Sequence, residues 1–438
     1  MRLDRGVATT RKGTKRMVSG FQVSQAIYAS GSFSLPSDGI DKILLAGSSR
    51  LYVFNTNTRE ISSFIYPSGR YITDDDDVQI FQALNKAYIL RGEADFDPKV
   101  VTSITRSGTT ATVTCNLHGF VTGDEVTVYA ANETAYNGSH IVTRTGANSF
   151  TYQVSGSPTS PATGVGILAV KCKPALVFDG TGVDVVSHVK GFNIANSSFP
   201  PAQFGLYYSN RIAVRVARDK IAVSDYLDFD TWDQTLGVWN INLGDNDEIV
   251  GFTPWADDQF LIFKRRSIYI AKLHNAFDEF GAATLTDDSF VQSVTDQVGC
   301  VARQSIANAG QVVFFLSDSG VRVLDPQLDL KLLGNSQPLS DPISDIIERI
   351  NIDAAPKAVG KIFNNRYYLA VPLDGSTYNN AVLVYNLLNK AWESVDTYPE
   401  GVRFDGMIVA KYTRPDTDCN ELDPGIGCMT IEVDFIVR

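Results

Sequence analysis

Short apolar runs recur at nearly even spacing between residues 204 and 392, and they set the pattern for the whole chain. Four of them are rich in β-branched and aromatic residues; they begin at residues 211, 259, 311 and 366, which are 48, 52 and 55 residues apart. Each follows a turn sequence such as Asn364-Asn365, and a second apolar run comes after each of them. The repeating unit is therefore a β-hairpin.

A long period built from short strands is typical of a β-propeller, in which each blade buries its faces against neighbouring blades. A large β-sandwich also repeats strands but lacks a long common period, and it is the alternative. We predict an all-β protein whose main body is a β-propeller of about five to seven blades.

The propeller pattern extends beyond the four repeats. Lys42 to Phe54 reads as a strand, a tight turn and a second strand, so we assign residues 39–98 to the first part of the propeller and residues 173–438 to its remainder. Isoleucines at i, i+3, i+4 and i+7 predict one short helix over Pro342 to Ile352. The alternating stretch from Thr430 to Val437 is expected to close the ring by pairing with the first blade.

Residues 99–172 have a different composition, dominated by Thr, Val, Ser and Gly. Apolar and polar residues alternate strictly in Thr110 to Cys115 and in Ser149 to Val154, and the propeller pattern resumes at Pro174. A rigid scaffold tolerates such an insertion in a surface loop at little entropic cost. We therefore predict an inserted β-sandwich or barrel module.

Residues 1–38 are rich in Gly, Ser, Thr and basic residues and read as an N-terminal arm. The arm either docks on a partner subunit or is a solvated tail, and the residues alone favour neither interpretation. The candidate docking residues are Arg5, Arg11, Lys12, Lys15 and Arg16.

Composition excludes several classes of protein. The formal net charge of −11 over 438 residues argues against a reader of nucleic acid, which needs a basic surface. The chain contains no apolar run long enough for a membrane span, and its N-terminus does not resemble a signal peptide. We therefore expect reduced cysteines, although Cys419 and Cys428 bracket a short loop and could form a bridge.

No known catalytic motif, cofactor motif or metal-ligand spacing is present, so we expect no enzyme activity, cofactor or metal. The acidic run Asp74 to Asp77 lacks the glycine and alternating ligands of a calcium loop and is expected to be a solvated turn. Asp228 and Asp230 lie in the densest acidic group and could serve a glycosidase. A propeller that binds or hydrolyses carbohydrate is thus the alternative function, although turn capping explains these residues better.

Part of the propeller pattern resembles proteins of short-tailed bacteriophage virions. The resemblance covers residues 174–410 and is carried by Tyr208-Ser-Asn-Arg-Ile-Ala-Val, by Phe229-Asp-Thr-Trp and by Gly299-Cys-Val-Ala-Arg-Gln-Ser-Ile. The nearest family is the tail nozzle or tail tubular protein B group, with the related head-to-tail stabilisation proteins. The insert, at His118-Gly-Phe and Thr122-Gly-Asp-Glu-Val, separately resembles a small β module of phage structural proteins.

The resemblance implies a virion protein of the phage tail, assembled in the host cytoplasm. Copies, usually six, would form a ring below the portal and adaptor, with tail fibres as a further partner, and take part in DNA retention and ejection. Genomic DNA would pass without sequence-specific binding. Acidic loops would keep the DNA mobile by like-charge repulsion, and the candidates for the channel lining are Asp245, Asp247, Glu248, Asp287 and Asp288.

Overall fold

The sheets of this chain form a ring of six blades, a β-propeller, with one further β module inserted. The computed structural model describes residues 2–4, 7–9, 26–37, 39–73, 76–92, 98–186, 199–233, 235–277, 279, 283–286, 288–310, 312–325, 337–398, 403–413 and 429–437. Nearly all regular structure in these residues is β strand. The predicted fold class is confirmed.

Every blade is an antiparallel sheet whose strands follow one another in chain order. An N-terminal hairpin, β1 (Arg2–Asp4) and β2 (Val7–Thr9), precedes the blades. Blade one contains β3 (Ile27–Ser34), β4 (Asp41–Gly47), β5 (Arg50–Asn55) and β6 (Ile61–Ile65). Blade two contains β7 (Gln79–Ala83), β8 (Lys86–Leu90), β16 (Leu176–Phe178) and β17 (Val183–Val185). Blade three contains β18 (Gly205–Tyr208), β19 (Arg211–Ala217), β20 (Lys220–Val223) and β21 (Val238–Asn240).

The remaining blades repeat this plan. Blade four contains β22 (Ile249–Ala256), β23 (Gln259–Lys264), β24 (Ile268–Lys272) and β27 (Phe290–Thr295), with a side hairpin of β25 (Asn275–Phe277) and β26 (Ala283–Leu285). Blade five shows three described strands, β28 (Ala307–Asn308), β29 (Val313–Ser317) and β30 (Gly320–Leu324). Blade six contains β31 (Val359–Phe363), β32 (Arg366–Val371), β33 (Ala381–Asn386) and β34 (Ala391–Thr397).

The first strand of each blade is the innermost one, because first strands of successive blades contact one another around the ring. All of these strands begin on the same side of the ring, which we call the entry face; the opposite side is the exit face. Connections from an outermost strand to the next innermost strand therefore lie on the entry face. The four repeats predicted from sequence are the second and third strands of blades three to six.

The insert is a single seven-stranded sheet that folds around its own core. Its strands are β9 (Lys99–Ser107), β10 (Thr110–Cys115), β11 (Glu125–Tyr129), β12 (Gly138–Ile141), β13 (Thr143–Arg144), β14 (Ser149–Gln153) and β15 (Leu168–Lys171). Ile104, Val113, Val126 and Phe150, from both halves of the sheet, are fully buried in one cluster. The insert joins β8 to β16 and therefore rises from the entry face of blade two.

Among the described residues, helical structure is limited to single turns. They are one α-helical turn, α1 (Ser344–Ile347), and 3-10 turns at Pro67–Gly69, Thr134–Tyr136, Arg303–Ser305, Asp341–Ile343 and Ala355–Lys357. The helix predicted over Pro342 to Ile352 was thus too long. Its isoleucines do pack against the core of blades five and six, as their spacing indicated.

The assignment of residues 1–38 to an arm was wrong for Ile27–Ser34. This segment is β3, the innermost strand of blade one, and its alternate residues are buried. Small residues fill it, with Ala29, Ser30, Gly31 and Ser32 in the middle, and they hid the apolar alternation. A strand needs small side chains where the blades crowd together near the axis.

The predicted closure of the ring is also corrected. The last strand, β36 (Met429–Val437), pairs with β35 (Phe404–Thr413) and not with blade one. The β35–β36 hairpin fills the gap between the last and first blades: Met407 packs on blade six, and Ile408 packs on blade one. Closure therefore depends on side-chain packing and not on a shared sheet.

Candidate functional site

The acidic residues predicted to line a channel divide between the two faces of the ring. Asp245, Asp247 and Glu248 lie in the entry-face connection from β21 to β22. Asp288 is exposed beside β27, the outermost strand of blade four, on the exit face. Asp288 therefore lies at the perimeter and away from the axis, and it is not brought together with the first group. Asp287 lies outside the described residues.

Asp245 and Asp247 are bound to the protein rather than presented to a channel. Lys264, whose side chain is fully buried, donates to both carboxylate oxygens of Asp245 at 2.6 and 2.7 Å. Burial raises the pKa of Asp245, but hydrogen bonds from Lys264 and Asn242 outweigh it and leave the pKa below its usual range. The Asp245–Lys264 pair thus ties the connection to the end of β23.

Asp247 has the same structural role one turn further on. Its carboxylate is buried and accepts hydrogen bonds from the backbone N–H of Arg266 at 3.1 Å and from the hydroxyl of Ser267 at 2.8 Å. A buried carboxylate is stable only when its oxygens have such partners. These two residues explain the acidic sequence at this point without any channel.

Glu248 belongs to a cluster at the entry-face mouth of the axis. Its carboxylate lies 3.8 Å from the guanidinium of Arg215, which also donates to Gln203 Oε1 at 2.9 Å. The Arg215 guanidinium lies 5.5 Å from the ring centre of Phe204. A second guanidinium, that of Arg303, lies 5.0 Å from the same ring. Two cations therefore share one aromatic ring.

The side chain of Arg303 extends past the Phe204 ring and across the axis of the propeller. We call its contacts with Asp77 and Gln79 the axial bridge. Arg303 starts on the 3-10 turn before blade five, and its guanidinium binds Asp77 and, at 3.4 Å, Gln79 of blade two. Gln79 Oε1 also accepts from the backbone N–H of Gly205 in blade three at 2.8 Å. Burial lowers the pKa of Arg303, and Asp77 opposes that shift. Because blades two and five are not neighbours, this side chain crosses the axis of the ring at the entry face.

A second ionic cluster joins the insert to the propeller. Glu125, the first residue of β11, is buried and accepts hydrogen bonds from Arg70 at 2.7 Å and Arg91 at 3.3 Å. Arg91 is fully buried and also donates to the carbonyl of Pro174 at 2.6 Å. Ser139 of the insert completes the cluster by donating to Glu125 at 3.0 Å. Charges buried in this way fix the orientation of the insert.

The acidic loop considered for glycan hydrolysis lies on the exit face of blade three. Asp228 Oδ1 accepts from the backbone N–H of Asp230 at 3.0 Å, as in a turn. Asp233 caps the following turn through the N–H of Thr235 at 2.6 Å. Trp232 is buried beneath the loop and donates to the carbonyl of Phe229 at 2.8 Å. The geometry therefore gives these aspartates local roles in the turn.

The remaining candidate residues are the basic residues near the N-terminus and the cysteines. Arg5, Arg11, Lys12, Lys15 and Arg16, like Cys419 and Cys428, lie outside the described residues. Cys115, Cys172 and Cys300 are free and buried. Within the described ranges, no three or more histidine, cysteine or acidic residues group as metal ligands. No helix in the same ranges is both long enough and apolar enough to cross a membrane.

Sequence reasoning missed the axial bridge and the insert junction. Arg303 and Asp77 are 226 positions apart, and Arg70 and Glu125 are 55 apart, so no local pattern joins them. The sequence offers one signal of such buried ion pairs, which is an arginine or glutamate at or next to an otherwise apolar strand, as at Arg91 after Leu90. Such a charge is buried only when it has a partner.

Comparisons with known proteins do not identify a family for this chain. No family model matches the chain, and no curated protein matches it. The solved structure of the computationally designed Ika8 protein is similar with a TM-score of 0.36 and 9% identity, covering 94% of this chain and 97% of that chain. Sqt1 of Saccharomyces cerevisiae is similar with a TM-score of 0.39 and 7% identity, covering 95% and 97%. At such low TM-scores neither likeness carries an argument.

Proposed function

We propose that the protein is a structural subunit of a bacteriophage tail, in which copies form a ring around the path of the DNA below the portal and adaptor. The proposal starts from the sequence resemblance over residues 174–410 and in the insert. A ring of six copies is the expectation that comes with that resemblance. The protein would be located in the virion.

The axial bridge is the observation that carries the proposal furthest. A single arginine side chain, that of Arg303, spans the propeller axis at the entry face. Duplex DNA, whose major groove alone is about 12 Å wide, cannot use such an opening. In an assembly that conducts DNA, each propeller therefore forms part of the wall, and the DNA passes between copies and not through the propeller axis.

A wall element has to be rigid, and two features supply rigidity. Blades pack face to face around the whole ring, and the β35–β36 hairpin closes it. The insert is fixed to the entry face by the buried cluster of Glu125, Arg70 and Arg91. A fixed insert is suited to contact a neighbouring component, such as the adaptor or a tail fibre, in one orientation.

The overall charge fits the same role. A formal net charge of −11 gives the surface a sign that repels the DNA backbone, so DNA can slide along the protein. The repulsion extends about 8 Å from an exposed charge at physiological ionic strength. An acidic conduit therefore retains little DNA by adhesion.

Electron microscopy of the protein purified from its natural source, with no symmetry imposed, tests the proposal. We expect several copies around a conduit wide enough for duplex DNA, stacked on another ring. Isolated propellers with glycan bound at one face would contradict it. In that case replacing Asp228 and Asp230 with alanine would test glycan binding or hydrolysis directly.

A further inference from the structure

An exposed apolar patch lies on the exit face where blades three and four meet. Tyr226 and Leu227 come from the loop after β20, and Phe277 comes from the β25–β26 hairpin. Leu227 is 52% exposed and Phe277 is 60% exposed. The rings of Tyr226 and Phe277 meet edge to face with centres 5.7 Å apart. Adjacent apolar side chains in solvent provide a contact surface for a partner.

A buried arginine holds the patch in place. Arg211 is 1% exposed and donates to Asn275 Oδ1 at 3.1 and 2.7 Å, which fixes the hairpin to blade three. It also donates to the carbonyl of Ser224 at 2.7 Å, and its guanidinium lies 5.8 Å from the centre of the Tyr226 ring. The patch is therefore formed before any partner binds, which reduces the entropic cost of binding.

Acidic side chains are exposed in the loops that carry or adjoin the patch. Asp228 and Asp230 are exposed in the same loop as Tyr226, and Asp257 and Asp258 are exposed in the neighbouring exit-face turn of blade four. Aromatic faces attract ammonium and guanidinium groups, and the surrounding carboxylates add to that attraction. The patch thus has the chemistry to bind a segment that combines basic and apolar residues.

The chain itself contains a segment of this kind near its N-terminus. Five basic residues are followed closely by apolar ones: Arg5, Arg11, Lys12, Lys15 and Arg16, then Met17, Val18 and Phe21. No comparable cluster of basic residues occurs elsewhere in the sequence. The triplet Lys264-Arg265-Arg266 is shorter, and it lies at the end of β23 and in the turn that follows.

The described residues on either side of this segment lie on the side of the ring opposite the patch. The β1–β2 hairpin contacts β34, the outermost strand of blade six, and β3 begins in blade one. Both ends of the basic segment are therefore held on the side of blades six and one. Blades three and four lie on the opposite side of the ring. A neighbouring copy can present its patch where the segment is.

We infer that the basic N-terminal segment of one copy binds the exit-face patch of the next copy. The interface joins opposite sides of the propeller, so it is head-to-tail and generates a closed ring when the rotation between copies closes. The inference rests on the proposed ring of copies and states what holds neighbouring copies together. It also gives a role to Asp228 and Asp230 that requires no catalysis.

A labelled peptide with the sequence of residues 1–25 tests the inference against the full-length protein, by fluorescence anisotropy at low protein concentration. Asp230→Lys combined with Asp257→Lys, two exposed aspartates of the patch, should weaken peptide binding by about tenfold or more. Phe277→Ser should also weaken it, because the aromatic contact is lost. The matched control combines Asp345→Lys with Asp353→Lys, two exposed aspartates on the entry face, and should leave binding unchanged.

Absence of binding, or binding that the entry-face control weakens as much as the patch variants do, would overturn the inference. The microscopy described above tests the proposed function separately. If copies surround a conduit but the patch variants do not affect the peptide, only the inference fails. If the peptide binds through the patch but the particles are isolated propellers, the proposed tail function fails.

Discussion

His140 of the insert is a partly buried base whose surroundings oppose protonation. Its ring stacks on Tyr152 with centres 4.1 Å apart, and Nε2 lies 3.3 Å from the carbonyl oxygen of Tyr136. Burial lowers the pKa of His140 to about 4, and the nearby Arg70 cation adds to that shift while the Tyr136 carbonyl opposes it. The folded insert therefore holds a neutral imidazole.

This pKa predicts a loss of stability in mild acid. The unfolded chain takes up a proton near pH 6.5, whereas the folded protein does so only near pH 4. Stability is therefore full above pH 6.5 and falls as the pH is lowered through the interval between these values, by about 3 kcal/mol in total, since one pKa unit corresponds to about 1.4 kcal/mol. His140→Phe keeps the stack with Tyr152 and should remove this part of the pH dependence, measured as urea midpoints by circular dichroism. An identical pH profile for both proteins would contradict the assignment.

Individual charges were the hardest feature to predict from sequence. Asp74 to Asp77 was expected to be a solvated turn, yet Asp76 binds Thr73 and Lys173, and Asp77 binds Arg303. The partners of Asp77 and Asp76 lie 226 and 97 positions away. A run of acidic residues indicates that their carboxylates need solvent or cationic partners, but it does not indicate where the fold places those partners.

At the scale of elements, sequence succeeded where a strand packs locally and failed where it packs against a distant blade. The hairpins beginning at 211, 259, 313 and 366 stand out as short apolar runs because nearly every residue of these strands is buried, and each strand pairs with the next one in sequence. The inner strand β3 was missed because its neighbours impose small side chains. The sequence of residues 27–34 alone does not show which strands pack against β3.

Gly31 in β3 allows a quantitative test of this crowding. A Cβ at Gly31 would lie 2.7 Å from Ile80 Cγ2 and 2.8 Å from Ile80 Cβ, so blades one and two would have to separate. We expect Gly31→Ala to lower the free energy of unfolding by about 1–3 kcal/mol. Gly182→Ala is the control, since nothing lies within 4 Å of its added Cβ. Equal urea midpoints for the two variants would show that the blades tolerate the methyl group.

At the scale of the whole molecule, the axial bridge links blades that share no sheet and no direct packing. Arg303→Met removes the cation but keeps an apolar contact with Phe204. Asp77 is 46% exposed and can be hydrated, so we expect a loss of only about 1–3 kcal/mol in the free energy of unfolding. Tryptophan fluorescence in urea reports on it, because Trp232, Trp239, Trp255 and Trp392 all lie in the propeller.

A matched control separates the bridge from an ordinary surface ion pair. Arg349 and Asp374 form a pair 2.7 Å apart, with side chains 47% and 58% exposed. Arg349→Met removes a charge of the same type at the surface and should leave the urea midpoint unchanged. If both variants lose the same stability, the contacts across the axis have no special role in holding the ring together.

The position of the insert within blade two has an evolutionary consequence. The insert leaves after β8 and returns at β16, and these two strands are paired neighbours, with Ile89 opposite Leu176. Its two ends therefore lie side by side, and a short turn could replace the whole module without moving a blade. Related chains could gain, lose or exchange a module at this point while keeping the same ring, so that selection on the attached module and selection on the propeller proceed independently.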